Sequence, residues 1–195
     1  ITPTLTSGGT RISGPVAKNT SVTFTIDTDS ITVQKNGSTL ETSAYSLEYE
    51  WAAGFSAQEA NPNIAAYSVT GDTTATCTVK VKVDNEVKCS TIARSNKITV
   101  YDLDNAIDKV YFNDRPYDVT YNASNGSATV YLGKDEMLAG SNNTWQVHAK
   151  DGYTVADQST NTKFENQNLK FKVGYGDSVQ AVEKTIAITS GTLST

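Results

Sequence analysis

The stretch TCTVKVKVDNEVKCST, residues 76–91, holds both cysteines of the chain and decides how the rest is read. Cys77, Val79, Val81 and Val83 alternate with Thr78, Lys80 and Lys82. A period of two, with one apolar and one polar series, is the signature of a half-buried β-strand. The polar KVDNEVK segment reads as a hairpin turn. If Val83 and Val87 face the same side, Val81 pairs with Cys89 and Cys77 falls opposite Ala93. The sulfurs then lie about 13 Å apart along the ladder, at about 3.3 Å per residue. A disulfide needs Cα atoms within about 7 Å, so only a bulge that shifts the register would join them. A metal site would need further Cys or His ligands, and the single His148 lies in the other half of the chain. Cys77 and Cys89 therefore read as free thiols that pack as small hydrophobes, with no disulfide expected. Free thiols also withdraw one argument for an oxidising compartment.

The same alternation recurs along the chain. SVTFTID (21–27) sets Val22, Phe24 and Ile26 against Thr23 and Thr25, and SLEYEWAAG places Leu47, Tyr49 and Trp51 opposite Glu48 and Glu50. NKITVYD (96–102) closes the first half. DKVYFND, YDVTYNA, SATVYLG and TWQVHAK follow as strands separated by turn signals such as NDRP and SNGS. NLKFKVGYGDSVQAVEKTIAIT reads as a final hairpin. No helical stripe exceeds two turns, and Pro62 interrupts SAQEANPNIAA. The composition agrees: 28 Thr, 18 Ser and 15 Asn among 195 residues favour strands and turns.

Net charge is −5 and the lysines are dispersed, so the basic footprint of a nucleic-acid binder is missing. The longest apolar runs are too short to cross a bilayer. The chain opens at Ile1 rather than Met, which reads as a processed product or a slice of something longer.

The halves also match each other. Trp51 precedes Cys77 by the same 26 positions that separate Trp145 from Phe171. A period near 94 residues with matched strand order points to tandem copies of one fold. The boundaries read as 1–102 and 103–195, with residues 1–8 as the exit strand of a preceding module, because ITPTLTSGGT has the flavour of IAITSGTLST at 186–195.

Seven or so short strands per half with a mid-module tryptophan describe an immunoglobulin-like sandwich. YEW at 49–51 and GDTTATCTVKV at 71–81 look like its tryptophan strand and late core strand, and the first half resembles the Ig-like and PKD-like modules of secreted bacterial and phage proteins. It departs from them in lacking a Cys near Phe24, in carrying AAGF where the PKD pattern has FGDG, and in lacking a Tyr two residues before Cys77. The expected fold is all-β, two tandem immunoglobulin-like β-sandwich domains, and the resemblance implies a scaffold rather than a reaction.

Candidate chemistry is sparse. His148 alternates with inward Trp145 and Val147, so it faces solvent or an edge, and no G-x-S-x-G elbow accompanies it. Glu48 and Glu50 share an outward face, the minimum for glycoside hydrolysis and equally the look of a solvated strand. Asp102, Asp104, Asn105 and Asp108 in YDLDNAID could gather oxygens from both modules around a Ca²⁺ at the junction, or form a plain polar linker. No other cofactor is implied. Tyr117 and Tyr121, with Val119 between them, could offer a ligand-binding platform for sugar rings, or a half-buried sheet face.

The expected function is non-catalytic: structural or adhesive modules of a larger extracellular protein, on a cell surface or as a virion fibre or decoration. The alternative is a pair of carbohydrate-binding modules appended to a secreted enzyme. Expected partners are neighbouring modules or subunits of the same assembly and surface glycans, with neither nucleic acid nor membrane. Binding would sit in end loops such as Ala52 to Asn63 or Lys134 to Asn143.

Overall fold

The computed structural model describes residues 1–5, 9–133, 143–155 and 163–190. The chain is all-β: among the described residues its helical content is three single 3₁₀ turns. It divides into two compact units, Ile1–Tyr101 and Asp102–Thr195.

The first unit contains β1 (Thr2–Leu5), β2 (Val16–Ala17), β3 (Ser21–Thr25), β4 (Ile31–Lys35), β5 (Ser38–Thr39), β6 (Ser46–Trp51), β7 (Ser56–Ala57), β8 (Ile64–Ser68), β9 (Thr76–Val83), β10 (Glu86–Arg94) and β11 (Val100–Tyr101). Strand β9 is central in the sheet β10-β9-β6, and β3-β8-β7 and β1-β4-β5 form two further sheets. A tryptophan strand beside the late core strand and the closing strand, covered by a second sheet, is the immunoglobulin-like arrangement. Period two delivers the core: Cys77, Val79 and Val81 from β9 meet Ile31 and Val33 from β4, with Ile26 and Ala93. A second cluster joins Phe24, Ala75 and Ile98, and Trp51 packs against both clusters. The parallel pairing of β2 with β11, Val16 opposite Val100, closes the unit.

Register around the opening stretch agrees with the sequence, by a different route. Asp84 and Asn85 both have positive φ, 53° and 63°. They form a two-residue turn, so Glu86 rather than Val87 pairs nearest Val83. That register alone would place Cys89 opposite Lys80. A bulge between Val87 and Cys89 absorbs one residue, returning Cys89 to Val81 and Cys77 to Ala93. The expected apposition of Val83 and Val87 does not occur, and Val87 is 52 % exposed. Two-residue turns with positive φ at both positions recur at Asn36–Gly37, Asn113–Asp114 and Asn166–Gln167. Mirror-image turns match the right-handed twist of the paired strands, and Asn or Asp tolerates the left-handed conformation at low cost.

The second unit contains β12 (Ile107–Phe112), β13 (Arg115–Asp118), β14 (Thr120–Tyr121), β15 (Ala128–Leu132), β16 (Trp145–Ala149), β17 (Tyr153–Val155), β18 (Lys163–Glu165), β19 (Asn168–Tyr175) and β20 (Val179–Ser190). A sheet β13-β12-β16 faces a sheet β14-β15-β20-β19-β17, in which β18 also pairs with β19. Between them lie Ile107, Val110, Phe112, Val130, Leu132, Val147, Leu169, Phe171, Val173, Ile186 and Ile188, each at most 3 % exposed. Strand β15 runs parallel to β20, Val130 opposite Ile188.

The equivalence of the halves holds at the closing hairpins and stops at the tryptophans. Cys77 and Phe171 are both buried on the first strand of the closing hairpin, at 1 % and 2 % exposure. Trp51 stands directly opposite Cys77, whereas Trp145 stands opposite Phe112, on the sheet that faces Phe171. Equal spacing along the chain thus serves two different pairings.

Candidate functional site

The outward face of β6, β9 and β10 carries the densest charge in the first unit. Glu48 is opposite Lys80 in the β6–β9 ladder. The Lys80 ammonium bridges Glu48 Oε1 at 3.2 Å and Glu50 Oε2 at 2.7 Å, and Lys82 holds the other oxygen of Glu48. Hydrogen bonds from Lys82 and Lys80 hold the Glu48 carboxyl below its ordinary value, and Glu50 and Glu48 raise Lys80. A glycosidase pair needs one carboxyl raised so that it can act as the acid. Glu48 is shifted the other way, and the ladder is a charge-compensated surface.

At one end this face dips into a depression of about 290 Å³ lined by Glu50, Trp51, Ala52, Thr76, Thr78, Ile92 and Arg94. Ile92 and Arg94 escaped the sequence reading, although a signal for them existed. After the bulge Cys89, Thr91 and Ala93 turn inward, so Ser90, Ile92 and Arg94 must turn outward.

The thiols sit where packing needs them. Cys77 is buried and Cys89 half-buried, and both are free. Burial pushes Cys77 up to about 11 and also raises Cys89. A thiol raised in the folded state stays protonated while its unfolded counterpart ionises, so this contribution to stability is complete below about pH 9 and is lost between about 9 and 11. At pH 8 in native buffer, Cys77 should resist a thiol reagent and Cys89 should react slowly. Alkylation after denaturation without reductant should add two labels, and a mass showing none would mean a disulfide.

The acidic segment 102–108 is a structured turn of the second unit. Asp102 N–H donates to the Tyr153 hydroxyl at 2.8 Å, and Leu103 packs against the core. Asp102 Oδ1 accepts from Asp104 N–H at 3.1 Å and caps the 3₁₀ turn. Asp104 pairs with Lys184. Asn105 Oδ1 accepts from Lys150 Nζ at 2.6 Å. Asp108 is exposed, at the register shift between Ile107 and Lys109. Calcium asks for six to eight oxygens, yet two of these four side chains already hold ammonium groups. Among the described residues no three His, Cys, Asp or Glu side chains gather as a metal site. A calcium ion here would compete with Lys184 for Asp104 and with Lys150 for Asn105. A site saturated at 100 times its Kd would add about 2.7 kcal/mol, roughly 10–20 °C in a domain of this size. An ion held by this segment would show as a drop on that scale in EDTA, and an unchanged melting temperature would remove it.

Tyr117 and Tyr121 are parted rather than aligned. Tyr117 belongs to β13, opposite Val110, and Tyr121 to β14, opposite Ala128, in the facing sheet. Both rings and Val119 pack against the core. The Tyr121 hydroxyl accepts from Ile107 N–H at 2.9 Å and donates to Ile107 O at 3.0 Å, while Lys150 Nζ covers the ring at 5.2 Å. No platform forms, because the chain changes sheets between the two residues. His148 faces solvent, one of the two expected placements, and its ring lies tilted against Tyr111 with centroids 4.4 Å apart.

The loop following Trp51 is pinned by aromatics. Phe55 stacks on Trp51 at 5.8 Å and on Tyr67 at 4.6 Å, and the Trp51 indole N–H donates to Pro62 O at 2.9 Å. The other loop expected to bind, Lys134 to Asn143, lies outside the described residues over 134–142.

No protein-family model matches the chain, and no curated protein matches it. Among solved structures it is similar to human mucin-like protocadherin EC1-2, at 12% identity and a TM-score of 0.30, covering 97% of this chain and 99% of that one. It is also similar to human protocadherin-24 EC1-2, form II, at 8% identity and a TM-score of 0.31, with the same coverage of each. The immunoglobulin-like, all-β assignment stands on the strands and pairings above.

Proposed function

We propose that the chain is a non-catalytic pair of structural or adhesive modules from a larger extracellular assembly, a cell-surface protein or a virion fibre or decoration protein. One observation carries this reading. The charged clusters that chemistry would draw on, Glu48 with Glu50 and Asp104, are closed by Lys80, Lys82 and Lys184 within their own units. Among the described residues no activated His or Cys nucleophile is seen: His148 faces solvent on a tyrosine, and Cys77 is held protonated. Sandwiches with compensated outer faces suit spacing, display and contact. Residues 1–102 and 103–195 then act as separate modules, with neighbouring modules or subunits and surface glycans as partners. The alternative, carbohydrate-binding modules attached to a secreted enzyme, draws support from the depression beside Arg94.

Mechanical unfolding of single chains tests the modular part. Two events are expected, each releasing roughly 30 nm of chain at about 3.3–3.6 Å per residue, and one combined event would count against it. Turnover on a glycoside panel that disappears in Glu48→Gln would reverse the non-catalytic part. Beads coated with the chain should be retained by intact cell or virion surfaces, and absence of retention would remove the adhesive part.

A further inference from the structure

We propose that the depression on the outward face of β6, β9 and β10 binds a carboxylated sugar unit of a surface polysaccharide, with Arg94 receiving the carboxylate. The proposal rests on the adhesive reading and names its ligand class.

Lysines on this face are spent: Lys80 on Glu48 and Glu50, Lys82 on Glu48. Arg94 is exposed, and its guanidinium has no ion-pair or hydrogen-bond partner among the described residues. Glu50 shares the depression, but its Oε2 is 2.7 Å from Lys80 Nζ. Among the described residues of this face the one uncommitted cation is therefore a guanidinium, whose planar fork matches a carboxylate in bidentate fashion.

The other walls select what carries that carboxylate. Register sets Arg94 opposite Thr76 and Ile92 opposite Thr78 on β9, and Glu50 opposite Thr78 from the far side. One cation, two threonine hydroxyls and an acceptor carboxylate thus surround an isoleucine that is 53 % exposed. A pyranose bearing one carboxylate presents the complement: an anion, several hydroxyl donors and an apolar C–H face. An acidic peptide fits less well, because its second carboxylate would meet Glu50. The chain's net charge of −5 also opposes indiscriminate capture of polyanions. The volume, about 290 Å³, sits near the lower bound of small-molecule pockets, roughly 300 Å³. Such a shallow site binds weakly alone and gains strength by repetition in an array.

The test is an amide-resolved NMR titration of the whole chain with a glucuronate oligosaccharide, sialyllactose, lactose and a short polyglutamate. Saturable shifts should appear at residues 76–78 and 92–94 and at the Trp51 indole with at least one carboxylated sugar. Which of the two responds identifies the uronate or sialate source. Arg94→Ala should weaken binding tenfold or more, with Arg94→Lys between it and the parent. Arg94 is exposed, and unchanged shift dispersion elsewhere would show that the variants fold. Equal response to lactose or to polyglutamate would overturn the proposal, as would binding indifferent to Arg94→Ala. Retention of coated beads on intact surfaces that ignores Arg94→Ala would overturn it too, while leaving the adhesive reading standing.

Discussion

Phe171→Ala is expected to lower the melting transition of the second unit by about 15–30 °C and to leave that of the first in place. Phe171 is 2 % exposed, at the centre of a cluster fed by both sheets of its unit. Truncating a fully buried Phe removes its transfer free energy and leaves a cavity, together about 3–5 kcal/mol. A domain of this size loses about 4–8 °C per kcal/mol. Sandwich walls tied by ladder hydrogen bonds collapse poorly into such a void, which favours the upper part of the range. Calorimetry should resolve two transitions of which one moves. If both fall together, the two cores are not energetically separate. Phe171→Leu, which keeps most of the volume, should cost less than half as much.

Trp51→Ala should be the corresponding lesion in the first unit, at about 3–5 kcal/mol. Among the described residues Trp51 is the one large side chain that packs against both clusters there. Its removal deletes the stack on Phe55, 5.8 Å between centroids, and leaves Pro62 O without its indole donor. Aromatic stacking adds about 0.5–1.5 kcal/mol beyond buried area. Urea unfolding should show a lower midpoint at unchanged slope, together with loss of near-ultraviolet dichroism from the Phe55–Tyr67 stack. Trp51→Phe should recover most of the packing but not the hydrogen bond. A variant as stable as the parent would mean that the clusters do not communicate through this ring. The same geometry accounts for the small residue opposite it: Cys77 faces Trp51 in the ladder, and Cys77→Phe would overpack the site at a cost of about 1–3 kcal/mol.

What the sequence made legible was local. Period two placed Val22, Phe24, Cys77, Val79 and Val81 on the correct faces, because alternation is a property of one strand and needs no partner. Asp84–Asn85 and Asn113–Asp114 were readable as turns, since few residues accept positive φ in succession. The bulge before Cys89 was not readable, because it is a compromise between a two-residue turn and the burial of Cys89 and Ala93. Partners distant in sequence were also hidden. Lys150 and Lys184 lie 45 and 80 residues from the Asn105 and Asp104 they engage, so the acidic run read as a linker or an ion site. Alternation alone sets Tyr117 and Tyr121 on one strand, yet Val119 marks a change of sheet that alternation cannot register. Arg94 depended on knowing which cations were already taken.

Each unit is closed by a parallel pairing to its own last strand, Val16 to Val100 in the first and Val130 to Ile188 in the second. Parallel partners cannot be joined by a tight turn and must wait for distant chain. During synthesis the hairpin of β9 and β10 can form as soon as it emerges, but neither sandwich is complete until its final strand has left the ribosome. At about 5–20 residues per second, the first unit has several seconds to close before the second can. The two similar cores are thereby separated in time, which limits the interval in which strands of one could be captured by the other.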